Sequence, residues 1–477
     1  MNYTDGNTLT CGLIGNPVRH TLSPLIHNSI AEMKGINLVY VPFEVPKGKV
    51  KYAVKGADAL GIKGVNVTVP YKSDVIPHLI EIDALAEGIG AVNTLVRSED
   101  GGFKGYNTDM TGLYHAMQDE GIVLEGETVV ILGAGGVARP VAYLCAAKGA
   151  KKVYVLNRTY EKAELVAKEV NEALRDSDDE AIAEVSEDIV IPMPLEDYRD
   201  LYAKEDSFFA VQCTSVGLFP DVNSAVIEDE EFYKHVSSAL DVVYKPLETK
   251  FMKLVKAAGG KVFSGLKMLL YQGIDAFELW FEDEGVKISK EEADIIYKSL
   301  MMEVVGATNI ILEGFMGSGK TTVSELLSEK LDLELIDTDE AISDAEGCSI
   351  SEIFEVQGEQ AFRDMETELI EMLVNDHVRE TVISLGGGLP VREQNRELLK
   401  KCGKVVFLKA SPEEVYNRIK GDTSRPLLQC EDPLERIRNM QEDRAEAYEE
   451  AADIIIDTDG KTPETIVSEI IGSLGIE

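Results

Sequence analysis

Positive charge is what this 477-residue sequence has least of: 47 Lys and Arg stand against 85 Asp and Glu, a formal net charge of −38. A surface that negative repels phosphate backbones and anionic lipid, which argues against nucleic acid or a membrane surface as partner. Cysteine is scarce too: Cys11, Cys145, Cys213, Cys348, Cys402 and Cys430 are scattered without a C-x-x-C spacing, against both a zinc site and a disulfide framework. No apolar run approaches the roughly 20 residues of a membrane span. Residues 1–10 are polar and lack the basic-then-apolar order of a secretion signal. Internal repeats and Gly/Ser- or Pro-rich linkers are missing as well. What is there is globular, with 44% hydrophobic and 28% charged residues. At roughly 100–200 residues per domain the length predicts about three packed units. The expectation is a soluble cytoplasmic enzyme that draws any anionic substrate with local Lys and Arg; oligomerisation stays open.

Short apolar runs alternate with longer amphipathic stretches, and glycines recur where the apolar runs end. This is the pattern of strands followed by crossover helices, hence α/β folding on parallel sheets. Thr128–Leu132 reads as a buried strand, because β-branched and aliphatic residues run on without alternation. Residues 152–156, 310–312 and 405–408 read alike, and 160–174 has helical periodicity. The acidic run Asp176-Ser177-Asp178-Asp179-Glu180 is expected to be a solvated loop or helix end. Lys290–Val305 is the last helical stretch before a second glycine loop, with only a short joint between them.

Thr128–Leu132 runs directly into Gly133-Ala134-Gly135-Gly136-Val137-Ala138. Glycines after a strand let the backbone approach a pyrophosphate seated at a helix N-terminus, although a simple tight turn uses them too. The next strand favours the first, although Arg158 could also cap a strand and Lys162 be a solvated helix residue. That strand ends in Asn157-Arg158-Thr159, where an NAD site places Asp or Glu on the ribose hydroxyl. Arg158, with Lys162 one turn later, suits a 2′-phosphate instead, so NADP is expected.

Polar residues gather ahead of that loop: His20-Thr21-Leu22-Ser23-Pro24, Asn66-Val67-Thr68-Val69-Pro70-Tyr71-Lys72, Asn93-Thr94 and Asn107-Thr108-Asp109. Alternation puts Asn66 and Thr68 on one strand face and valines on the other. Singly, each is most often a cap or strand-end hydrogen bond. Together they offer hydroxyls, amides, one ammonium and one carboxylate, which suits a small polyhydroxylated acid. A Lys–Asp pair can handle the proton of a carbonyl/alcohol couple while a nicotinamide handles the hydride.

With Ala91-Val92-Asn93-Thr94, Asp241-Val242-Val243-Tyr244-Lys245-Pro246 and Gly265-Leu266-Lys267-Met268…Gln272 added in order, residues 1 to about 305 resemble the shikimate dehydrogenase family. The resemblance implies that Lys72 and Asp109 flank the reacting oxygen. It implies that Thr21 and Ser23 hold the substrate carboxylate, and that Asn66, Thr68, Asn93, Tyr244 and Gln272 contact the ring and its hydroxyls. Gly133, Ala134, Gly135, Gly136, Val137, Asn157, Arg158, Thr159, Lys162, Val242 and Gly265 would bind NADP(H). Two positions depart from the family pattern: Thr21, where many relatives have serine, and Gln212, where an asparagine usually begins the segment.

Gly314-Phe315-Met316-Gly317-Ser318-Gly319-Lys320-Thr321 fits G-x-x-x-x-G-K-[ST], with a strand pattern before it and a helix pattern after. Its amides and Lys320 would cradle nucleotide phosphates, and Thr321 would bind Mg²⁺. Asp337-Thr338-Asp339, Arg363, Gly386-Gly387-Gly388, Arg425-Pro426-Leu427-Leu428 and Arg444 follow; singly, such arginines could be surface ion pairs. In this order residues 306–477 resemble shikimate kinase. The resemblance implies that Gly317, Ser318, Gly319, Lys320, Thr321, Thr322, Arg418 and Arg425 bind ATP, Arg418 by stacking on adenine and Arg425 from a mobile lid. Asp339, Arg363, Gly387, Gly388 and Arg444 would bind the acceptor, the two arginines by forked pairing with its carboxylate. Thr321 and Asp337 would hold Mg²⁺. Asp339 would orient or deprotonate the attacking hydroxyl, which makes Lys72, Asp109, Asp339, Lys320 and Arg425 the expected catalytic set.

The two resemblances name adjacent reactions, NADPH-dependent reduction of 3-dehydroshikimate to shikimate and its phosphorylation by ATP. Three units are expected: a substrate-binding α/β domain of residues 1–110 with 265–305, an NADP-binding Rossmann domain of 111–264, and a P-loop kinase domain of 306–477 with a parallel sheet. Two alternatives stand beside this reading, a quinate- or NAD-preferring first half and a non-catalytic metabolite sensor. Arg158 and Lys162 speak against NAD. Intact Lys72, Asp109, Lys320 and Asp339, and the acidic charge, speak against the sensor.

Overall fold

The structure is a computed structural model that describes residues 4–176, 188–218, 221–420 and 432–476. Arg425, Cys430 and residues 177–180 of the acidic run lie outside the described residues. The chain divides into two units, Met1–Leu300 and Met301–Glu477.

The first unit holds two sheets. Strands β1 (Leu9–Gly15), β2 (Leu38–Glu44), β3 (Gly64–Val67), β4 (Glu81–Ile82), β5 (Thr94–Arg97) and β6 (Phe103–Tyr106) form one, in the order β2-β1-β3-β5-β6-β4. β1 runs parallel to β2 and β3, but β5 is antiparallel to both β3 and β6, a departure from the all-parallel expectation. The reversal from β5 to β6 is made by a tight turn. Gly101 and Gly102 take φ of 87° and 80°, and the Gly101 amide donates to the Ser98 carbonyl at 3.1 Å, so the chain reverses without a crossover helix.

The second sheet is all parallel: β7 (Thr128–Leu132), β8 (Lys152–Asn157), β9 (Val190–Pro194), β10 (Phe208–Gln212), β11 (Val236–Asp241) and β12 (Lys261–Ser264), in the order β12-β11-β10-β7-β8-β9. The order reverses direction at β7, the switch point of a doubly wound dinucleotide-binding sheet, and residues 133–136 leave β7 there. Val129 and Ile131 bury against Val141 and Leu144 on one face, Val130 and Leu132 against Phe208 and Phe251 on the other. Two covered faces explain a strand without alternation.

Helix Gly265–Trp280 then returns to the first sheet, where the Trp280 indole donates to the Leu95 carbonyl at 3.0 Å. It packs on helix Thr108–Asp119 so closely that a side chain at Gly112 would strike the Gln272 backbone. The division between units falls within helix Lys290–Val305, because Met302 is buried with Ile310 and Leu312 in the second unit's core.

That unit is built on β13 (Asn309–Glu313), β14 (Glu334–Asp337), β15 (Thr381–Ser384), β16 (Lys404–Lys409) and β17 (Ile454–Asp457), all parallel, in the order β14-β15-β13-β16-β17. β13 is central, so residues 314–319 emerge at the middle of the sheet's carboxyl edge and lead into helix Lys320–Leu331.

Candidate active sites

In the first unit a cavity of about 380 Å³ is lined by Thr21, Ser23, Asn66, Thr68, Lys72, Asn93, Asp109, Tyr244 and Gln272. These are all the residues expected to surround the substrate, and they arrive on six separate stretches of backbone. Thr21 and Ser23 stand at the start of helix Ser23–Met33, the Thr21 hydroxyl donating to Ser23 Oγ at 3.1 Å. Asp109 lies in the first turn of helix Thr108–Asp119, which is capped by the Asn107 side chain accepting from the Met110 amide at 3.2 Å. That helix is tied to the wall by Asn93, whose Oδ1 accepts from the Thr108 amide at 2.7 Å. Lys72 Nζ and Asp109 Oδ2 are 2.6 Å apart, with side chains 33% and 19% exposed. A half-buried lysine so placed, at the edge of a polar cavity, can deliver a proton to a carbonyl oxygen within it. Arg19 also lines the cavity and was not anticipated; it falls in a loop with no periodicity to mark its direction.

The expected cofactor residues sit at the carboxyl edge of the second sheet. Gly133 takes a φ of 107°, and a side chain there would strike Thr214. At Gly136 open space surrounds the position a side chain would take, the kind of opening that lets a pyrophosphate approach the backbone ahead of helix Ala138–Ala147. The Asn157 side-chain Nδ2 donates to the Thr159 carbonyl at 2.8 Å, shaping the turn from which Arg158 and Lys162 project, both exposed. A side chain on Gly265 would overlap the Val242 carbonyl, so these two candidates adjoin one another. Asp241, buried at the end of β11, accepts from the Val243 amide at 3.0 Å and from Thr249 Oγ1 at 2.7 Å, holding the turn that carries Tyr244 to the cavity. Burial raises its pKa to about 6 against those two hydrogen bonds. Gln212 is fully buried; it donates to the Val216 carbonyl at 3.0 Å and accepts from Thr214 at 3.2 Å. The departure at that position is therefore satisfied within its own loop.

In the second unit Gly317 and Gly319 take φ of 77° and 103°, and Lys320 Nζ donates to the Gly314 carbonyl at 2.8 Å. Asp337 caps helix Thr338–Glu346 by accepting from the Asp339 amide at 3.0 Å. Thr321 and Thr322 are exposed at the start of helix Lys320–Leu331. Mg²⁺ keeps several waters and asks for one or two protein oxygens, which Thr321 and Asp337 can supply without a dedicated cage.

Asp339 is half-buried, and its enclosed Oδ1 is an acceptor with no hydrogen-bond partner. Burial first, and Asp337 second, hold its pKa above the ordinary carboxylate value. Arg363 is braced by the buried Glu366 at 2.8 Å, and a side chain on Gly388 would strike its guanidinium. Arg444 donates to the Gly387 carbonyl at 2.9 Å, as does Tyr448 at 2.5 Å. Tyr448 was not anticipated, although it lies one turn after Arg444 on the same helix. A side chain on Gly387 would stand 3.6 Å from the Gly314 carbonyl, so the acceptor turn and the phosphate loop abut. Arg418 donates to the Ser318 carbonyl at 3.0 Å and the Thr458 carbonyl at 2.8 Å, which places it beside the same loop.

Comparison with known proteins divides the chain in the same sense. Residues 13–95 match the shikimate dehydrogenase substrate binding domain, 116–192 the shikimate/quinate 5-dehydrogenase model, and 316–475 the shikimate kinase model. The chain is 39% identical over 276 residues to the NADP⁺-dependent shikimate dehydrogenase of Methanocaldococcus jannaschii, covering 58% of this chain and 92% of that protein. A solved shikimate dehydrogenase in complex with NADP⁺ superposes with a TM-score of 0.54 at 35% identity, over 64% of this chain and 98% of its own. That of Thermus thermophilus, with NADP(H) and shikimate bound, gives 0.51 at 32%, over 61% and 99%. With its cavity, its switch-point glycine loop and its second, kinase-type glycine loop, the chain belongs to the shikimate dehydrogenase family and carries a shikimate kinase domain at its C-terminal end.

Proposed function

We propose that this chain is a bifunctional enzyme that reduces 3-dehydroshikimate to shikimate and then phosphorylates the shikimate 3-hydroxyl. Bound NADPH supplies the hydride of the first reaction, and ATP with Mg²⁺ the phosphoryl group of the second. Thr21 and Ser23 hold the substrate carboxylate, while Asn66, Thr68, Asn93, Tyr244 and Gln272 orient the ring. Lys72 delivers the proton to the nascent hydroxyl, and Asp109 directs it. Arg158 and Lys162 take the cofactor's 2′-phosphate. In the second unit Lys320 and the loop amides hold the phosphates, Arg363 and Arg444 grip the acceptor carboxylate, and Asp339 orients the attacking hydroxyl. Residues 1–110 with 265–305, 111–264 and 306–477 serve as the substrate, cofactor and kinase domains.

The observation that carries this reading is the 380 Å³ cavity that the residues expected to bind the dehydrogenase substrate line together with the Lys72–Asp109 pair. The kinase half is supported by Asp339, Arg363 and Arg444 meeting around Gly386–Gly388 beside the phosphate loop. Incubation with 3-dehydroshikimate, NADPH and Mg–ATP is expected to yield shikimate 3-phosphate, and omission of ATP to leave shikimate. Oxidation of quinate with NAD⁺ faster than of shikimate with NADP⁺ would overturn the substrate assignment.

A further inference from the structure

Glu313 ends β13 and directly precedes the phosphate loop. It is fully buried, and neither carboxyl oxygen has a hydrogen-bond partner. The alternation of β13 sends it to the side of Ile311, and its register partner on β16 is Phe407. The polar groups facing it come from three other stretches: Lys320 beyond the loop, Arg396 of helix Glu393–Cys402 and Tyr448 of helix Pro433–Ala451. Each is engaged elsewhere. Lys320 donates to the Gly314 carbonyl, Arg396 to the Pro390 carbonyl at 3.0 Å and to Glu450 at 2.9 Å, and Tyr448 to the Gly387 carbonyl. Glu366, another buried carboxylate of this unit, has its arginine; Glu313 has none. A carboxyl so placed is held neutral, because burial outweighs the opposing pull of Lys320 and Arg396 and raises its pKa to about 8.

We propose that Glu313 is a positioning residue for Lys320 that couples nucleotide binding to the uptake of a proton from solvent. The inference rests on the reading of residues 314–321 as the nucleotide loop. While neutral, Glu313 leaves the Lys320 charge to the phosphates. Once ionised, it draws Lys320 toward the strand end and sets a negative charge behind a site for a polyanion, so affinity falls. Binding of the polyanion in turn favours the protonated acid, and the proton comes from buffer. The Kd for Mg–ATP should be flat below pH 7 and should rise by up to about tenfold per pH unit above pH 8.

The test is titration calorimetry of the full chain with Mg–ATP at pH 8, in HEPES and in Tris, whose ionisation enthalpies differ. Wild type should take up a measurable fraction of a proton, and Glu313→Gln should take up about none. Binding without buffer dependence in wild type, which needs no variant to establish, would overturn the proposal, as would equal uptake by Glu313→Gln. Absence of Mg–ATP binding at every pH would instead overturn the nucleotide reading of the loop, and this inference with it.

Discussion

The hydroxyl of Tyr40 donates to Asn66 Oδ1 at 2.8 Å and thereby fixes which way the Asn66 amide faces. The amide nitrogen then reaches Thr94 Oγ1 at 3.1 Å, which in turn meets Thr108 Oγ1 at 2.7 Å, so one wall of the cavity is a continuous hydrogen-bonded chain. Behind it the His27 ring stacks on Tyr40 with centroids 4.2 Å apart. Tyr40→Phe leaves Asn66 Oδ1 without its donor and frees the amide to turn. A loss of about 1 kcal/mol is expected, roughly fivefold in KM for the substrate, with a smaller change in kcat. Steady-state kinetics check it, and an unchanged KM would separate Tyr40 from the orientation of Asn66.

Lys72→Ala should lower kcat of the reduction by about 10²–10⁴, the usual worth of general acid–base help, with a smaller effect on KM. The measurement is kcat on folded variant, and near-normal turnover would remove Lys72 from proton transfer.

Arg158→Ala should raise KM for NADPH far more than for NADH, because only NADPH carries the 2′-phosphate that an exposed cation at this strand end can meet. Equal losses with both cofactors would mark Arg158 as a support of the turn.

His27 is fully buried with no hydrogen-bond partner on either ring nitrogen, and burial drives its pKa down to about 3, against a smaller upward pull from Asn66. A folded pKa below the unfolded value of 6.5 means that the stability it contributes is complete above pH 6.5 and is lost as pH falls toward 3. Asp241 works in the opposite sense: with its pKa raised from 3.8 to about 6, the stability tied to its neutral form is lost as pH rises through that window. The two partly cancel in a melting curve, so ring NMR is the sharper measurement. The His27 signals should stay constant from pH 8 to 5. His115 should titrate above the ordinary histidine value, held up mainly by its hydrogen bond to Asp275 at 2.8 Å.

Lys320→Ala should abolish phosphorylation, since Lys320 is placed to stabilise the phosphates, and should leave kcat of the reductase nearly unchanged. Both rates measured on one preparation decide it, and a matching fall in the reductase would show that the two activities depend on one another.

What the sequence determined by itself was local. Thr128–Leu132 was legible to the residue, because a strand buried on both faces needs nothing but apolar side chains, and composition alone carries that signal. Both glycine loops were legible because a phosphate loop is built from consecutive backbone amides, which no distant residue has to supply. The convergence of Lys72, Asp109, Tyr244 and Gln272 on one cavity was foreseen through the resemblance and not through any spacing. Other features only the tertiary structure decided. Asn66 is set by Tyr40 on another strand, and β6 runs antiparallel to β5 because a two-glycine turn joins them. Glu313 reads in the sequence as an ordinary acid at a strand end. It becomes a buried, unpartnered group only in the folded chain, where Phe407 lies beside it in register and Lys320, Arg396 and Tyr448 are committed to other partners. Periodicity describes which way a side chain leaves its own backbone, whereas its charge state depends on what the rest of the chain puts around it.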